Sequence, residues 1–341
     1  MRHRFTASRP WMLLFVLLCL ALCSCGGSSD SNGQSGSSGS SGTHVTTGDH
    51  QTPSSSGNSD STDNHTDPDS TVGTRDNTPI VLVGAADGTV TYGNESVTID
   101  ASHTSDGYLM VNYTGSNPKV KLQLTGSNQV TYTYDLHGGY ETFPLTSGSG
   151  SYTLSVFENI EGTSYSTLFT QSIDANITNE FGPYLYANQY VNFTSGSATV
   201  EKGAQLALSA NDDLQVVENI YNFIISTFTY DYDKAKTVES GYLPDVDTVL
   251  AKETGICFDY ASVMATMLRT QNIPTRLEVG YMGEEYHAWI STYITGKGWV
   301  NGIIEFDGNE WKLMDPTFAS TSSSPVDFIT QTDKYITKYV Y

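Results

Sequence analysis

The spacing of hydrophobic residues changes along the chain, from a period of two to a mixture of helical and strand periods. Between residues 79 and 180, apolar and polar residues alternate in short segments such as those around Val111, Leu122, Tyr134 and Leu154. This alternation is typical of strands with one buried face, and turn residues separate the segments at the spacing of a β-sandwich. Residues 79–180 are therefore predicted to form an antiparallel β-domain.

The β-domain is rich in tyrosine, which allows two interpretations. Aromatic residues on pleated strands usually pack in the core or against a neighbouring strand. Exposed aromatic rings can instead bind carbohydrate. Core packing is the commoner role, so carbohydrate binding is kept only as an alternative.

The second region, residues 181–341, is predicted to have an α+β fold. Its first part, residues 181–193, is rich in tyrosine and is predicted to pack between the domains. Apolar residues behind acidic caps then predict helices over residues 212–228 and 245–252. The acidic residues Asp231 and Asp233 are interpreted as part of a solvated loop, because the chain lacks the twelve-residue loop of a calcium site.

A third helix is predicted between Gly255 and Pro274, where apolar residues recur at spacings of three and four. Cys257 lies in its first turn. After Pro274 the period becomes two, which indicates an antiparallel sheet packed against this helix. The predicted strands are Arg276–Met282, His287–Ile294, Trp299–Phe306 and Glu310–Asp315.

Three residues of these elements have the chemistry of nucleophilic catalysis. Cys257 is placed at a helix start, where unpaired N–H groups and the helix dipole favour a thiolate. His287 begins one predicted strand and Asp315 ends a later one. A thiol nucleophile needs a base within hydrogen-bond reach, and that base needs an acceptor to orient it. Each residue alone is commonly structural, but together they form a candidate Cys257-His287-Asp315 triad.

The segments around these residues resemble the transglutaminase-like superfamily of papain-like folds. The resemblance lies in three blocks that occur in the family's order, joined by a linker that includes Arg269: Gly255-Ile256-Cys257-Phe258-Asp259-Tyr260-Ala261, Tyr286-His287-Ala288-Trp289 and Trp311-Lys312-Leu313-Met314-Asp315-Pro316-Thr317. It implies acyl transfer through a thioester, with Cys257 as nucleophile, His287 as base and Asp315 as its orienting acid. A cysteine peptidase or amidase is favoured. The alternatives are a transglutaminase that cross-links protein glutamine and a non-catalytic surface binding module.

The N-terminus has the layout of an export signal. Arginines precede an apolar run, Trp11 to Cys23, that is too short to span a bilayer. The run ends in Leu22-Cys23-Ser24-Cys25-Gly26, which resembles a bacterial lipobox. Residues 1–24 are thus predicted to be a lipoprotein signal peptide, with lipidation of Cys25. Ordinary cleavage near Ser24 is the alternative.

Composition separates a tether from the folded regions. Residues 25–78 are almost entirely Gly, Ser, Thr, Asn and Asp, which cannot bury enough apolar surface to fold. They are predicted to be a disordered tether between the lipid and the β-domain. The expected location is the bacterial cell membrane, lipid-anchored and facing outside, and the expected partner is a peptide, a protein or cell-wall peptide.

The cysteine count and the net charge limit which nucleophile, cofactor and partner can be expected. Of the four cysteines, two leave with the signal and Cys25 would be lipidated, so Cys257 is the one thiol left for reactivity. The histidines outside the tether are far apart and lack cysteine partners, so neither a metal nor another cofactor is expected. With 16 basic and 37 acidic residues, the formal charge of −21 disfavours nucleic acid as a partner.

Overall fold

The computed structural model describes residues 72–301, 303–306, 311–314 and 335–341. The predicted signal peptide, Cys25, the tether up to residue 71 and Asp315 lie outside these ranges. The described residues belong to one compact unit. Within them, every helix is too short or too polar to cross a bilayer.

Residues 91–175 form two four-stranded antiparallel sheets. The first sheet has the order β1-β2-β3-β6 and the second has the order β5-β4-β7-β8. The strands are β1 (Thr91–Gly93), β2 (Val97–Asp100), β3 (Tyr108–Tyr113), β4 (Val120–Thr125), β5 (Thr131–Leu136), β6 (Gly139–Pro144), β7 (Gly150–Glu161) and β8 (Ser164–Ala175). The alternation in the sequence correctly predicts antiparallel strands here.

The two sheets share one hydrophobic core that includes their tyrosines. Along β4 the buried residues are Val120, Leu122 and Leu124, as the period of two requires. The ring centroids of Tyr134 and Phe143 lie 4.8 Å apart and connect β5 of one sheet to β6 of the other. Most tyrosines of the strands are buried, so the core interpretation is confirmed for Tyr108, Tyr113, Tyr132, Tyr134 and Tyr152.

Helices and a second antiparallel sheet follow. The helices are α1 (Ala198–Ala207), α2 (Asp213–Thr227), α3 (Tyr232–Thr237), α4 (Val246–Lys252) and α5 (Cys257–Arg269). Aspartates cap them as expected: the side chain of Asp212 accepts from the backbone N–H of Gln215 at 2.9 Å, and Asp245 caps α4 in the same way. Helices α1, α2 and α4 pack around α5, which is almost completely buried.

The second sheet lies against α5. Its strands are β11 (Thr275–Met282), β12 (Glu285–Ile294), β13 (Gly298–Asn301) and β16 (Tyr335–Val340), in the order β13-β12-β11-β16. Two smaller pairs accompany it: β9 (Thr229–Tyr230) with β10 (Thr254–Gly255), and β14 (Ile303–Phe306) with β15 (Trp311–Met314). Since α5 packs directly against β11 and β12, the predicted α+β arrangement is confirmed.

The prediction of one strand over Trp299–Phe306 is wrong. The segment 299–306 contains two strands with different partners, because β13 pairs with β12 whereas β14 pairs with β15. The pairing of β13 ends at Asn301, opposite Ser291. Both pieces keep the alternation of a strand, so periodicity alone cannot show where the partner changes.

Arg269, the last residue of α5, joins three separate segments. Its guanidinium donates to the backbone carbonyls of Thr275, Tyr186 and Tyr341 at 3.0, 2.7 and 2.8 Å. Burial lowers the pKa of Arg269 to about 9, which still leaves it charged near neutral pH. The residue therefore fixes the tyrosine-rich linker and the final strand against the end of the helix that begins with Cys257.

Residues 73–82, which we call the strap, run along the same end of α5. The backbone N–H of Ile80 donates to the carbonyl of Thr270 at 2.8 Å, and that of Gly73 donates to Leu208 at 2.9 Å. Arg75 forms an ion pair with Asp213 at 2.9 Å. The composition of residues 73–78 predicts that they belong to the tether, yet in the structure they make specific contacts with the folded unit.

Candidate active site

Cys257 is the first residue of α5 and is partly exposed. It is the only cysteine in the described part of the chain. The helix start is held by Asp259, whose Oδ2 accepts from the backbone N–H of Ile256 at 2.8 Å. Gly255 makes room for this contact, because a Cβ there would lie 2.6 Å from Cβ of Asp259. The local sequence thus presents the thiol at a capped helix N-terminus, as predicted.

Asp259 is also the centre of a buried polar cluster. Its carboxylate accepts from Lys234 Nζ and from the Tyr242 hydroxyl, both at 2.6 Å. Lys234 donates to the same hydroxyl at 2.7 Å. The Asp259 side chain is completely buried and that of Lys234 is 28% exposed. Burial and the neighbouring Asp259 raise the pKa of Tyr242, so its hydroxyl remains a donor.

This cluster connects the nucleophile helix to the segment before it. Lys234 belongs to α3, and Tyr242 belongs to the loop that leads to α4. The cluster therefore fixes residues 232–242 beside the start of α5. Asp259 thus acts as a local cap of α5. Its contacts with Lys234 and Tyr242 cannot be predicted from the sequence, because no local pattern connects residues so distant along the chain.

His287 is the third residue of β12 and is buried. Its ring centroid lies 6.3 Å from that of Trp289 and 6.4 Å from that of Tyr335, so the imidazole belongs to a cluster of aromatic rings. Opposite His287 stands Gly280 of β11, at a bulge in the pairing with β16. A Cβ at Gly280 would lie 2.0 Å from the carbonyl oxygen of Ile336, so only glycine permits this approach.

Cys257 and His287 lie on elements that pack against each other. Helix α5, which begins with Cys257, packs directly against β12, the strand that carries His287. Phe258, next to the thiol, has its ring centroid 5.5 Å from that of Tyr190. Asp315 follows β15 directly and lies outside the described residues.

Tyr230 lies beside Cys257. In the parallel pair β9-β10, Tyr230 is in register with Gly255, two residues before the thiol. The backbone N–H of Asp231 donates to the carbonyl of Gly255 at 2.9 Å and holds the two strands together. Strands of two residues have no periodic signal, so this pairing cannot be predicted from the sequence.

Acidic residues and histidines elsewhere form pairs rather than a metal centre. Asp231, interpreted as part of a solvated loop, caps α3 through the backbone N–H of Lys234 at 2.8 Å. His103 contacts Asp87 and Asp106. Within the ranges that the structure covers, no three His, Cys, Asp or Glu side chains are grouped so as to hold a metal ion.

A family comparison covers the region just described. Residues 201–302 match the model of the transglutaminase-like superfamily. The chain carries a transglutaminase-like domain. The matched residues include both Cys257 and His287 and end before Asp315.

A curated protein is similar to part of this chain. The UPF0252 protein MJ1282 of Methanocaldococcus jannaschii is 32% identical over 106 residues, which cover 27% of this chain and 30% of that protein. The chain thus spans less than a third of the curated relative that it matches.

Two solved structures are also similar to the transglutaminase-like chain. A candidate cysteine protease from Cytophaga hutchinsonii is 16% identical with a TM-score of 0.34, covering 74% of this chain and 78% of that one. The periplasmic domain of TgpA from Pseudomonas aeruginosa, bound to ethylmercury, is 13% identical with a TM-score of 0.31, covering 71% and 85%.

Proposed function

We propose that this protein is an exported, membrane-tethered enzyme that uses Cys257 to transfer acyl groups from amide or peptide bonds. The observation that carries the proposal is the position of Cys257, a partly exposed thiol at the start of a helix that packs against the strand of His287. The superfamily match includes both residues. Water is the proposed acceptor, which makes the enzyme a cysteine peptidase or amidase.

The proposed mechanism has two steps through a thioester. His287 takes the proton of the Cys257 thiol, and the sulfur attacks the amide carbonyl to form a tetrahedral oxyanion. Breakage of the C–N bond leaves a thioester, while the imidazolium of His287 donates its proton to the departing amine. Water activated by His287 then attacks the thioester and releases the acid. Asp315 is assigned to orient His287.

The proposed location follows from the N-terminal sequence. Lipidation of Cys25 would attach the protein to the outer face of a membrane, with the tether holding the folded unit away from it. A surface-exposed hydrolase of this kind would meet peptides, proteins or cell-wall peptide. The excess of 37 acidic over 16 basic residues would attract cationic substrates.

The function can be tested with the full chain carrying Cys19→Ser, Cys23→Ser and Cys25→Ser, so that Cys257 is the only thiol. The protein would be incubated with a mixture of peptides and a fluorescent primary amine. We expect release of peptide fragments or ammonia, and loss of that release in the Cys257→Ala variant. The Asp315→Asn variant should reduce the rate while Cys257 remains present.

Other results would select the alternatives. Incorporation of the fluorescent amine into a glutamine-bearing protein would identify a cross-linking transglutaminase. Absence of both products, together with a thiol that reacts only after denaturation, would overturn catalysis and leave a surface binding module with a transglutaminase-like fold.

A further inference from the structure

The end of the β11-β12 hairpin carries large side chains that are exposed. Tyr281 of β11 is 37% exposed, Tyr286 of β12 is 61% exposed and Ile336 of β16 is 54% exposed. Tyr281 is in register with both of the others, so the three side chains form one row on one face of the sheet. The ring centroids of Tyr281 and Tyr286 lie 5.5 Å apart, with the two rings inclined at 66°. We call these three residues the exposed row.

The exposed row lies level with the start of α5, where Cys257 is found. Arg269, the last residue of α5, donates to the carbonyl of Thr275, the first residue of β11, at 3.0 Å. The chain turns back between them, so α5 and β11 run along each other in opposite directions. The 13 residues of α5 extend about 20 Å, the length of about six strand residues. Accordingly, continuous burial ends at Gly280 in β11 and begins at His287 in β12, and the row lies just beyond both.

Two carboxylates lie at the same end of the sheet. Gly283 and Glu284 form the two-residue turn of the hairpin, and Gly283 has the positive φ of +63° that such a turn needs at its first residue. Both Glu284 and the next residue, Glu285, are exposed. Lys338, the basic residue of β16, lies beyond Ile336 on the side away from this turn. The hairpin end therefore combines exposed aromatic rings with negative charge.

This combination favours one kind of ligand group. A lysine or arginine side chain has an aliphatic stem that packs on apolar surface and a cationic end that stays in water. The cationic end is attracted both to the faces of tyrosine rings and to carboxylates. A purely apolar group would gain nothing from the carboxylates, and an anionic group would be repelled by them. The formal charge of −21 on the whole chain acts in the same direction.

We propose that the exposed row, with Glu284 and Glu285, binds a lysine or arginine side chain on the substrate residue whose carbonyl Cys257 attacks. The inference rests on the proposed function and adds a substrate class to it.

The subsite is assigned to the acyl residue because that residue stays on the enzyme through both steps, whereas the amine leaves after the first. Its α-carbon is bonded to the attacked carbonyl carbon, so its side chain starts beside Cys257 and His287. Tyr286 directly precedes His287, which puts the row within reach of a four-carbon stem. The stem packs on the row, and the cationic end reaches the carboxylates at the turn.

Three esters of p-nitrophenol separate the subsite from the reaction itself. The esters of Nα-acetyl-lysine and Nα-acetyl-norleucine carry the same four-carbon stem with and without an ammonium group, and p-nitrophenyl acetate carries no side chain. The kcat/KM for nitrophenolate release would be measured at about pH 7, where the lysine is charged. The proteins are the chain with Cys257 as its only thiol and its Glu284→Gln, Tyr286→Ala and Glu161→Gln variants. Glu161 is the matched control, because it is an exposed glutamate beside the turn of the β7-β8 hairpin.

We expect the lysine ester to react at least about fivefold faster than the norleucine ester, through its contacts with the rings and carboxylates. Glu284→Gln should reduce this preference about two- to fivefold, whereas Glu161→Gln should not change it, although each variant removes one charge. Tyr286→Ala should slow both side-chain esters about fivefold, because both stems lose apolar contact. p-Nitrophenyl acetate should react equally with all four proteins.

Equal rates for the lysine and norleucine esters, or a faster norleucine ester, would overturn the inference while leaving the enzyme proposal intact. An equal loss of preference in Glu161→Gln would also overturn it, since the charge of the whole chain would then be the cause. A fall with all three esters in both hairpin variants would make the hairpin end a structural support and overturn it as well. If none of the esters acylates Cys257 at the unmodified site, the proposed function fails and this inference fails with it.

Discussion

The start of α5 shows how one carboxylate can organise a candidate active site. Asp259 caps the helix that carries Cys257 and accepts hydrogen bonds from Lys234 and Tyr242. Its side chain is completely buried, so its charge depends on these donors. The same contacts hold the segment that follows Tyr230. The position of the thiol and that of the preceding segment therefore depend on one residue.

Replacing Asp259 should lower the stability of the folded protein. In Asp259→Asn, the Lys234 ammonium loses its anionic partner and the amide cannot accept from all three donors. We expect the free energy of unfolding to fall by about 2–3 kcal/mol, as for loss of hydrogen bonds to a charged group. Urea denaturation would measure it. The matched control is Asp233→Asn, which removes the exposed pair of Asp233 with Lys236 at 3.8 Å and should cause no measurable change. Equal stability of the two variants would contradict this account.

At this scale, the sequence shows the local contacts and not the distant ones. The capping role of Asp259 is a local feature of the sequence. Asp259 lies three residues after the N-cap residue Ile256, the position from which an acidic side chain can accept from the N-cap backbone N–H. Lys234 cannot be predicted as its partner, since the contact depends on how α3 packs. Tyr230 is hidden for the same reason. The position of Asp315 relative to His287 remains a prediction.

Among the elements, those with a clear period of buried residues are the predictable ones. Period-two alternation identifies β4, because one face of this strand is buried and the other is not. The central residues of β11 and β12 are buried on both faces. Helix α1 has no clear helical period of apolar residues, since its buried residues are small or polar, including Thr199 and Gly203. A Cβ at Gly203 would lie 3.1 Å from Cα of Met267, so the glycine permits close packing of α1 on α5.

The loop between β2 and β3 should make the stability of the β-sandwich depend on pH. The ring nitrogens of His103 lie 2.9 Å from carboxylate oxygens of Asp106 and of Asp87. The hydrogen bond to Asp106 raises the pKa of His103 most, burial opposes this, and Asp87 raises it further, so that the pKa lies above its usual value of 6.5. The folded state therefore binds a proton that the unfolded state releases.

The sign of the effect follows from this shift. The contribution of His103 to stability is fully present below about pH 6.5 and is lost as the pH rises through the folded-state pKa. We expect the difference in unfolding free energy between the unmodified chain and His103→Gln to shrink as the pH increases from about 5 to 9. Denaturant titrations across this range would measure it. A difference that is constant or grows with pH would show that the protonated form is not favoured by folding.

At the scale of the whole molecule, the strap holds the first described residues against one end of the helical layer. Its contacts lie at the α1-α2 turn and at the C-terminal end of α5, where Gln271 and Thr270 accept hydrogen bonds from Arg75 and Ile80. Cys257 is at the opposite end of α5, about 20 Å away along a thirteen-residue helix. The first described residues therefore lie at the end of α5 remote from the thiol.

Arg75 is the residue of the strap with the strongest contacts. It donates to Asp213 at 2.9 Å and to the carbonyl of Gln271 at 2.5 Å, and its side chain is 14% exposed. Arg75→Ala should lower the free energy of unfolding by about 1–3 kcal/mol, because the Asp213 carboxylate and the carbonyl lose a charged donor. Thermal and urea denaturation would measure the change. Lys119→Ala, at an exposed loop, is the control. Equal stability of the two variants would mean that the strap is only loosely bound.

The central claim is that Cys257 and His287 act as a pair. The most direct measurement is the rate at which iodoacetamide alkylates Cys257 at about pH 6.5, where an unassisted thiol reacts slowly. The chain would carry Cys19→Ser, Cys23→Ser and Cys25→Ser, with and without His287→Ala. We expect the rate to fall at least about tenfold when the imidazole is removed, since the imidazole takes the thiol proton. The same rate in both proteins, under conditions in which both are folded, would contradict the account.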